Sequence, residues 1–193
     1  MSVRLIECVP NISEGRDRSK IDAIAAVVET VEGVRLLDVD PGGSTHRTVI
    51  TFVGPPETIV EAAFRLISKA AELIDMSKHH GEHPRMGATD VCPFVPVTGV
   101  TMEDCKQAAH ALGERIGTEL GIPGYFYEEA ALQPERRNLA YCRKGEYEGL
   151  EKLADPQWKP DFGPAEFNER ARKTGATAVS ARDFLVAYNI NLN

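Results

Sequence analysis

The sequence has no surplus of positive charge and no long apolar run. Its 193 residues include 22 Lys and Arg against 29 Asp and Glu, which gives a formal net charge of -7. Because nucleic-acid binding normally needs a broad basic face, this balance argues against that class of protein. No apolar stretch approaches the roughly 20 residues that a membrane-spanning helix requires. We therefore expect no nucleic-acid partner and no membrane, and any anionic ligand must find a local basic pocket.

Cysteine is also scarce, and its spacing forms no metal or redox motif. The four cysteines are Cys8, Cys92, Cys105 and Cys142, which lie far apart and form no Cys-x-x-Cys pair. A chain of this length buries a core without disulfides, so free thiols in a reducing compartment are expected. The N-terminal residues lack the uncharged core of a signal peptide. The sequence thus predicts a soluble, cytoplasmic protein.

Hydrophobic periodicity predicts alternating strands and helices with no domain boundary. Strands are predicted over residues 3–9, 34–39, 46–53, 91–97, 124–127 and 184–192, with helices capped at Ser19, Pro55-Pro56 and Thr101. The order strand, helix, strand, strand, helix, strand is typical of a ferredoxin-like unit. We predict an α+β fold with a ferredoxin-like βαββαβ core, extended by an extra helix and strands, whose helices pack on one face of a mixed sheet. Residues 135–175 are weakly patterned, and within them residues 158–164 (WKPDFGP) are interpreted as an ordered loop, because the aromatic side chains need a place to pack.

Three of the five histidines lie in one loop bounded by glycine and proline. Residues 78–87 (KHHGEHPRMG) contain His79, His80 and His83 with two further cations and a carboxylate. Histidine titrates near physiological pH, so this cluster predicts proton transfer or anion capture. Pro84 favours extended backbone at His83, which would hold that imidazole rigidly. A loop histidine bonded to a nearby carbonyl is an equal alternative for His83, and solvent-facing positions are favoured for His79 and His80.

Cations and acids add to this polar concentration. Arg85 could bind a carboxylate through two hydrogen bonds and Lys78 would act as a looser point charge, although either could be a solvated surface charge. Asp38 and Asp40 end a buried strand on the same side, so either could orient an imidazole and stabilise its charged form. Simple turn chemistry before Pro41 is the alternative for Asp40.

A metal site fits the pattern poorly. His79 and His83 are four residues apart, but such a pair shares a face only in a helix, and Gly81 and Pro84 disfavour helix here. Cys92 is interpreted as a small buried hydrophobe. We predict no bound metal, and a metal-dependent amidohydrolase stays a minor alternative.

Several long and compositionally unusual strings carry a family resemblance. They include residues 7–15 (ECVPNISEG), 36–40 (LLDVD), 81–87 (GEHPRMG), 90–94 (DVCPF), 160–164 (PDFGP) and 187–192 (AYNINL). Through them the whole chain, residues 1–193, resembles the N-terminal subdomain of the formiminotransferase domain of glutamate formiminotransferases. The family's C-terminal subdomain has no counterpart in these residues.

The resemblance implies an activity and roles for individual residues. The activity is transfer of a formimino group from N-formimino-L-glutamate to N5 of tetrahydrofolate in histidine degradation, with no metal. His83 matches the family's catalytic histidine and Asp40 its proposed acidic partner. The residues implied to bind substrate or folate are Arg85, Arg47, Lys78, His80, Gly163, Pro164 and Gly175.

The resemblance also implies that the site is shared, because the family binds folate between its two subdomains. A homodimer or a separate chain carrying the second subdomain would complete it. Two alternatives remain open. One is a non-catalytic folate-binding subunit that needs a partner chain for activity, and the other is a glutamate formyltransferase, because formyl and formimino donors have nearly the same shape.

Overall fold

One mixed β-sheet forms the centre of the computed structural model, which describes residues 3–185. Its strands are β1 (Leu5–Cys8), β2 (Asn11–Ile12), β3 (Arg35–Gly42), β4 (Arg47–Gly54), β5 (Thr89–Thr98), β6 (Gly124–Glu128) and β7 (Thr177–Ala181). β4 pairs with β3 on one side and with both β1 and β2 on the other, and β5 pairs with β1, β2 and β7. Only the pairs β5–β7 and β6–β7 are parallel among the described strands. The predicted α+β class and mixed sheet are confirmed.

Helices alternate with the strands along the described chain. They are α1 (Arg18–Ala26), α2 (Pro56–Leu73), α3 (Met102–Arg115), α4 (Leu139–Cys142) and α5 (Glu169–Thr174). Turns of 3-10 helix cover Val27–Thr30, Met76–Lys78, Pro134–Arg137 and Tyr147–Lys152, and a π-helical turn, Ile116–Leu120, continues α3. None of the helices described in residues 3–185 is both long and apolar enough to cross a membrane.

The main core lies between α1, α2 and α3 and one face of the sheet. Ile59 and Leu66 from α2 are fully buried in the same cluster as Phe52 of β4 and Phe94 of β5. Full burial of such a side chain contributes about 1.5–3 kcal/mol. This packing fixes one face of the sheet to α1, α2 and α3.

A second, smaller core covers the opposite face of β6 and β7. Tyr125 and Tyr127 alternate with Phe126 along β6, and they pack with Leu150 from the segment that follows α4. The prediction that helices lie on one face is therefore wrong for this segment. Helices of four to six residues complete too few turns to leave a periodic hydrophobic pattern, so residues 135–175 gave no signal.

Several boundaries differ from those predicted. α1 is capped by Asp17, whose carboxylate accepts hydrogen bonds from the backbone of Ser19 and Lys20, so the predicted cap at Ser19 is wrong. β2 and β7 were not among the predicted strands. The predicted strand over 184–192 falls mainly on residues 186–193, outside the described residues, while residues 182–185 have no regular structure.

Candidate active site

Polar side chains gather on the sheet face that α1, α2 and α3 leave uncovered. Asp40 of β3 and Asn11 of β2 both pair with Val49 of β4, and directly paired residues share a face. Arg47 lies two residues before Val49 and therefore points to the same side. The Arg47 Nε donates to the Asn11 Oδ1 at 2.8 Å, and Nη2 bonds to the same oxygen. The strands thus place an acid, an amide and a guanidinium together.

A β-bulge adds a buried acid that sequence reasoning missed. The pairing of β2 with β5 skips Asp90, so this residue is the extra one on β5, and bulges commonly redirect a side chain. Asp90 is 1% exposed. Its Oδ1 accepts from the Met86 backbone N–H at 3.0 Å, and its Oδ2 accepts from the Arg143 guanidinium. Asp90 therefore joins the histidine loop to a second arginine.

His83 is half-buried beside these charges. Burial lowers the pKa of its imidazole, and Arg47 and Arg143 lower it further, while the Pro84 carbonyl and Asp90 oppose the shift. Because the ordinary histidine pKa is about 6.5, a lowered value leaves the ring neutral at pH 7.

The tautomer of His83 follows from one hydrogen bond. Its Nδ1 lies 2.6 Å from the Pro84 carbonyl oxygen, which can only accept, so Nδ1 carries the proton. The neutral ring then presents an unprotonated Nε2. The carbonyl bond, expected as the alternative to a catalytic role, is compatible with a general base acting through Nε2.

Asp40 shares the sheet face but does not supply this hydrogen bond. The side chain is exposed, and it raises the pKa of Arg47, although burial lowers that pKa overall. The role of Asp40 as the acidic partner of His83 stays a prediction.

Two cations of the predicted set are paired with the chain's own acids. Arg85 is buried, and its guanidinium donates to Glu146 at 2.9 Å and to Glu148 at 2.7 and 2.9 Å. Lys78 is exposed and forms an ion pair with Asp75 at 3.0 Å. Arg85 therefore fastens the loop to the turn after α4, and its binding of a substrate carboxylate stays a prediction.

The remaining loop histidines differ in environment. His80 is exposed, as expected. His79 is only 5% exposed and stacks on His46, so the favoured solvent-facing position is wrong for it. The error arises because His46 is more than thirty residues away in sequence.

The predicted folate segment is divided between two places. Gly175 has φ +66 and lies against the Met86 carbonyl, where a Cβ would collide, so it belongs beside the histidine loop. Gly163, with Pro164 after it, lies instead against Gly117 in the turn that follows α3. The structure brings Gly175 towards His83 but places Gly163 at a separate cavity of about 300 Å³.

Arg143 and Asp90 are the site residues that sequence reasoning missed. A single acid within the apolar stretch 88–95 was the available signal for Asp90, because a charge buried in a strand needs a partner. Arg143 lies in the weakly patterned segment and gave no signal. Within residues 3–185, no three His, Cys, Asp or Glu side chains lie together as metal ligands.

The site is suited to proton transfer on an anionic substrate, since a neutral histidine lies beside two arginines on an α+β sheet. Residues 5–182 match the formiminotransferase domain, N-terminal subdomain. The chain belongs to this family.

Relatives cover nearly the whole chain. It is 56% identical over 190 residues to a formimidoyltransferase-cyclodeaminase of Dictyostelium discoideum, covering 98% of this chain and 35% of that protein. It is 50% identical over 191 residues to a glutamate formimidoyltransferase of Streptococcus pyogenes serotype M1, covering 98% and 63%. A glutamate formimidoyltransferase of Thermoplasma acidophilum is also 50% identical, with 98% and 62% covered. The chain therefore spans about a third of the first relative and less than two thirds of the others.

Proposed function

We propose that this chain is the catalytic half of a glutamate formimidoyltransferase, which moves a formimino group from N-formimino-L-glutamate to N5 of tetrahydrofolate. The observation that carries the proposal is the hydrogen bond of the His83 Nδ1 to the Pro84 carbonyl, which leaves Nε2 to act as the base while burial, Arg47 and Arg143 lower the pKa of the ring. Family membership and the names of the relatives support the reaction class. Tetrahydrofolate is a co-substrate here.

His83 provides both proton transfers that this reaction needs. N5 of tetrahydrofolate bonds to the amidine carbon and loses its proton, which Nε2 accepts. The bond from that carbon to the glutamate nitrogen then breaks, and Nε2 returns the proton to the departing amine. A positioned acid–base group of this kind contributes roughly 10²–10⁴-fold to a rate.

Arg47 is the best-placed receptor for a carboxylate of the donor or of the folate tail. Its hydrogen-bond partner is the neutral amide of Asn11, so its positive charge is not neutralised in the contact. Arg85 instead has two carboxylates, and Arg143 has Asp90. A charge-assisted bond to a carboxylate is therefore stronger and less costly to form at Arg47.

The other predicted roles complete the proposal. Asp40 balances the positive charges of Arg47 and of the protonated His83 imidazole. Substrate or folate contacts come from Lys78, His80, Gly163, Pro164 and Gly175. The protein works in the cytoplasm, and the antiparallel order β3-β4-β1-β5 supports a ferredoxin-like core. A homodimer or a chain carrying the second subdomain completes the folate groove, since the prokaryotic relatives are longer.

A turnover assay with and without a second subdomain tests this proposal. The purified chain is mixed with tetrahydrofolate and N-formimino-L-glutamate, and the 5-formimino product is measured by absorbance after acid conversion to the methenyl form. We expect product with the formimino donor, either from the chain alone or after the C-terminal subdomain of a relative is added. Folate binding without product in both mixtures would favour the non-catalytic subunit. Product only with N-formylglutamate would favour the formyltransferase.

A further inference from the structure

His46 and His79 form a stacked pair that holds the loop carrying His83. This pair takes no part in the proton transfers proposed for His83. The rings of His79 and His46 stack with centroids 4.4 Å apart and planes 28° apart. The His79 Nε2 lies 3.0 Å from the His46 carbonyl oxygen, and it must donate because that oxygen only accepts. This contact joins the start of the loop to the turn between β3 and β4.

The backbone of the loop also packs closely against the turn between β3 and β4. A Cβ at Gly81 would lie 2.5 Å from the Thr45 carbonyl oxygen and 2.8 Å from the His46 Cβ, so only glycine allows this approach. The Glu82 N–H donates to the Ser44 carbonyl at 3.5 Å. His83 follows at once, so its position depends on how residues 79–82 lie on the turn.

The hydrogen bonds of both stacked rings favour the neutral imidazole. The proton of His79 is on Nε2, and its Nδ1 is buried with no hydrogen-bond partner among residues 3–185. The His46 Nδ1 accepts from the Gly15 N–H at 3.1 Å. A second proton on His79 would bury an unpaired N–H. A proton on the Nδ1 of His46 would face the Gly15 N–H, although the Glu14 Oε1 also lies 3.4 Å from this nitrogen and opposes the neutral state.

The charges around the pair favour the same state. Burial is the largest cause that lowers the pKa of both imidazoles; Arg16 lowers both, Lys20 lowers that of His46, and Arg85 lowers that of His79. Glu14 opposes these shifts, but its carboxylate already accepts the N–H groups of residues 16 and 17. Asp75 and Lys78 line a cavity of about 310 Å³ that also borders both rings.

We propose that His46 and His79 are positioning residues, whose neutral stack holds the loop and thereby His83 in place, and that protonation of either ring releases the loop. The catalytic consequence depends on the proposed function, whereas the docking of the loop does not. Because a lowered histidine pKa means that the unfolded or released chain binds more protons, docking is favoured above pH about 6.5 and weakens as the pH falls.

Hydrogen exchange of the Glu82 amide between pH 8 and 5 tests this proposal on the chain itself. After correction for intrinsic exchange, we expect constant protection above pH about 6.5. Below that pH the opening equilibrium should rise by up to about tenfold per pH unit for each proton taken up, and it should level off once the pH falls below the lowered pKa of the docked rings. His79→Gln keeps a donor near Nε2 but cannot take up a proton, so its acid response should be reduced or absent. The control His110→Gln replaces a histidine whose Nε2 lies 2.9 Å from the Ala130 carbonyl, and it should keep the wild-type profile.

Gly81→Ala provides a second variant that changes no titratable group. It should lose protection of Glu82 already at pH 7, because the added methyl displaces the loop. Protection that is independent of pH in the wild type, or unchanged in Gly81→Ala, would overturn the proposal. These readouts need no substrate, so absence of turnover with an intact acid response would count against the proposed function alone.

Discussion

The ability of each arginine at this site to bind an anion depends on the side chain with which it already forms hydrogen bonds. Arg47 faces a neutral amide, Arg143 faces one buried acid, and Arg85 faces two acids. Among residues 3–185 the Arg47 guanidinium has no hydrogen-bonded carboxylate, although the charges of Asp90 and Asp40 oppose the lowering of its pKa by burial. A guanidinium without such a bond is more available to an anionic substrate. We therefore propose that neighbouring arginines have separate tasks, with Arg47 binding the substrate and Arg85 fixing the loop.

Replacing Arg47 and Arg85 in turn separates these tasks. Arg47→Ala should weaken binding of the anionic substrate about tenfold to a hundredfold, which corresponds to loss of a charged hydrogen bond of about 1.5–3 kcal/mol. Arg85→Ala should mainly lower the melting temperature, because it leaves Glu146 and Glu148 without their cation. Isothermal titration and thermal unfolding of both variants provide the comparison. A larger loss of substrate affinity in Arg85→Ala than in Arg47→Ala would contradict the assignment of substrate binding to Arg47.

Single residues also show where sequence reasoning reached its limit. Arg47 and His83 were predicted as site residues, and in the structure the charge of Arg47 lowers the pKa of the His83 imidazole. Asp90 and Arg143 were missed because a bulge and a contact between residues 53 apart in sequence create their pair. The position of His79 was predicted wrongly for the same reason, since its burial depends on a distant ring.

Among the elements, β5 has the most specialised role. It pairs with β1, β2 and β7, and its bulge holds Asp90 between the histidine loop and Arg143. Local signals predicted some elements well: α3 begins after the predicted cap Thr101, and β3 and β4 lie at the strands predicted over residues 34–39 and 46–53. β7 and the short helices escaped prediction because tertiary packing, rather than a local pattern, determines them.

Removal of the buried acid tests the role of this bulge. Asp90→Ala should lower the free energy of unfolding by about 3 kcal/mol, since it leaves Arg143 without its buried partner. The matched control is Asp22→Ala, which removes an exposed ion pair to Arg18 at 3.0 Å and should change stability by less than about 1 kcal/mol. Urea unfolding of both variants measures the difference. Equal effects would show that Asp90 does not hold the loop and Arg143 together.

At the scale of the whole molecule, α1, α2 and α3 cover one face of the sheet, while His83, Arg47 and Asp90 lie on the other with Arg143. The class of fold could be predicted from periodicity, because it depends on the order of long elements. The assembly that completes the site could not be predicted from this chain, since the longer relatives contain residues that the chain does not match. We expect the full site to depend on what covers this polar face.

The most direct test of the central claim compares kcat and tetrahydrofolate affinity for the wild type and His83→Ala, in whichever assembly turns over. His110→Gln, on the other side of the sheet, serves as the matched histidine control. The account predicts that His83→Ala lowers kcat roughly 10²–10⁴-fold while folate affinity changes little, because the lost group moves protons and does not hold the pterin. Equal losses of kcat and affinity, or an unchanged kcat, would contradict the role of His83 as the general acid–base group.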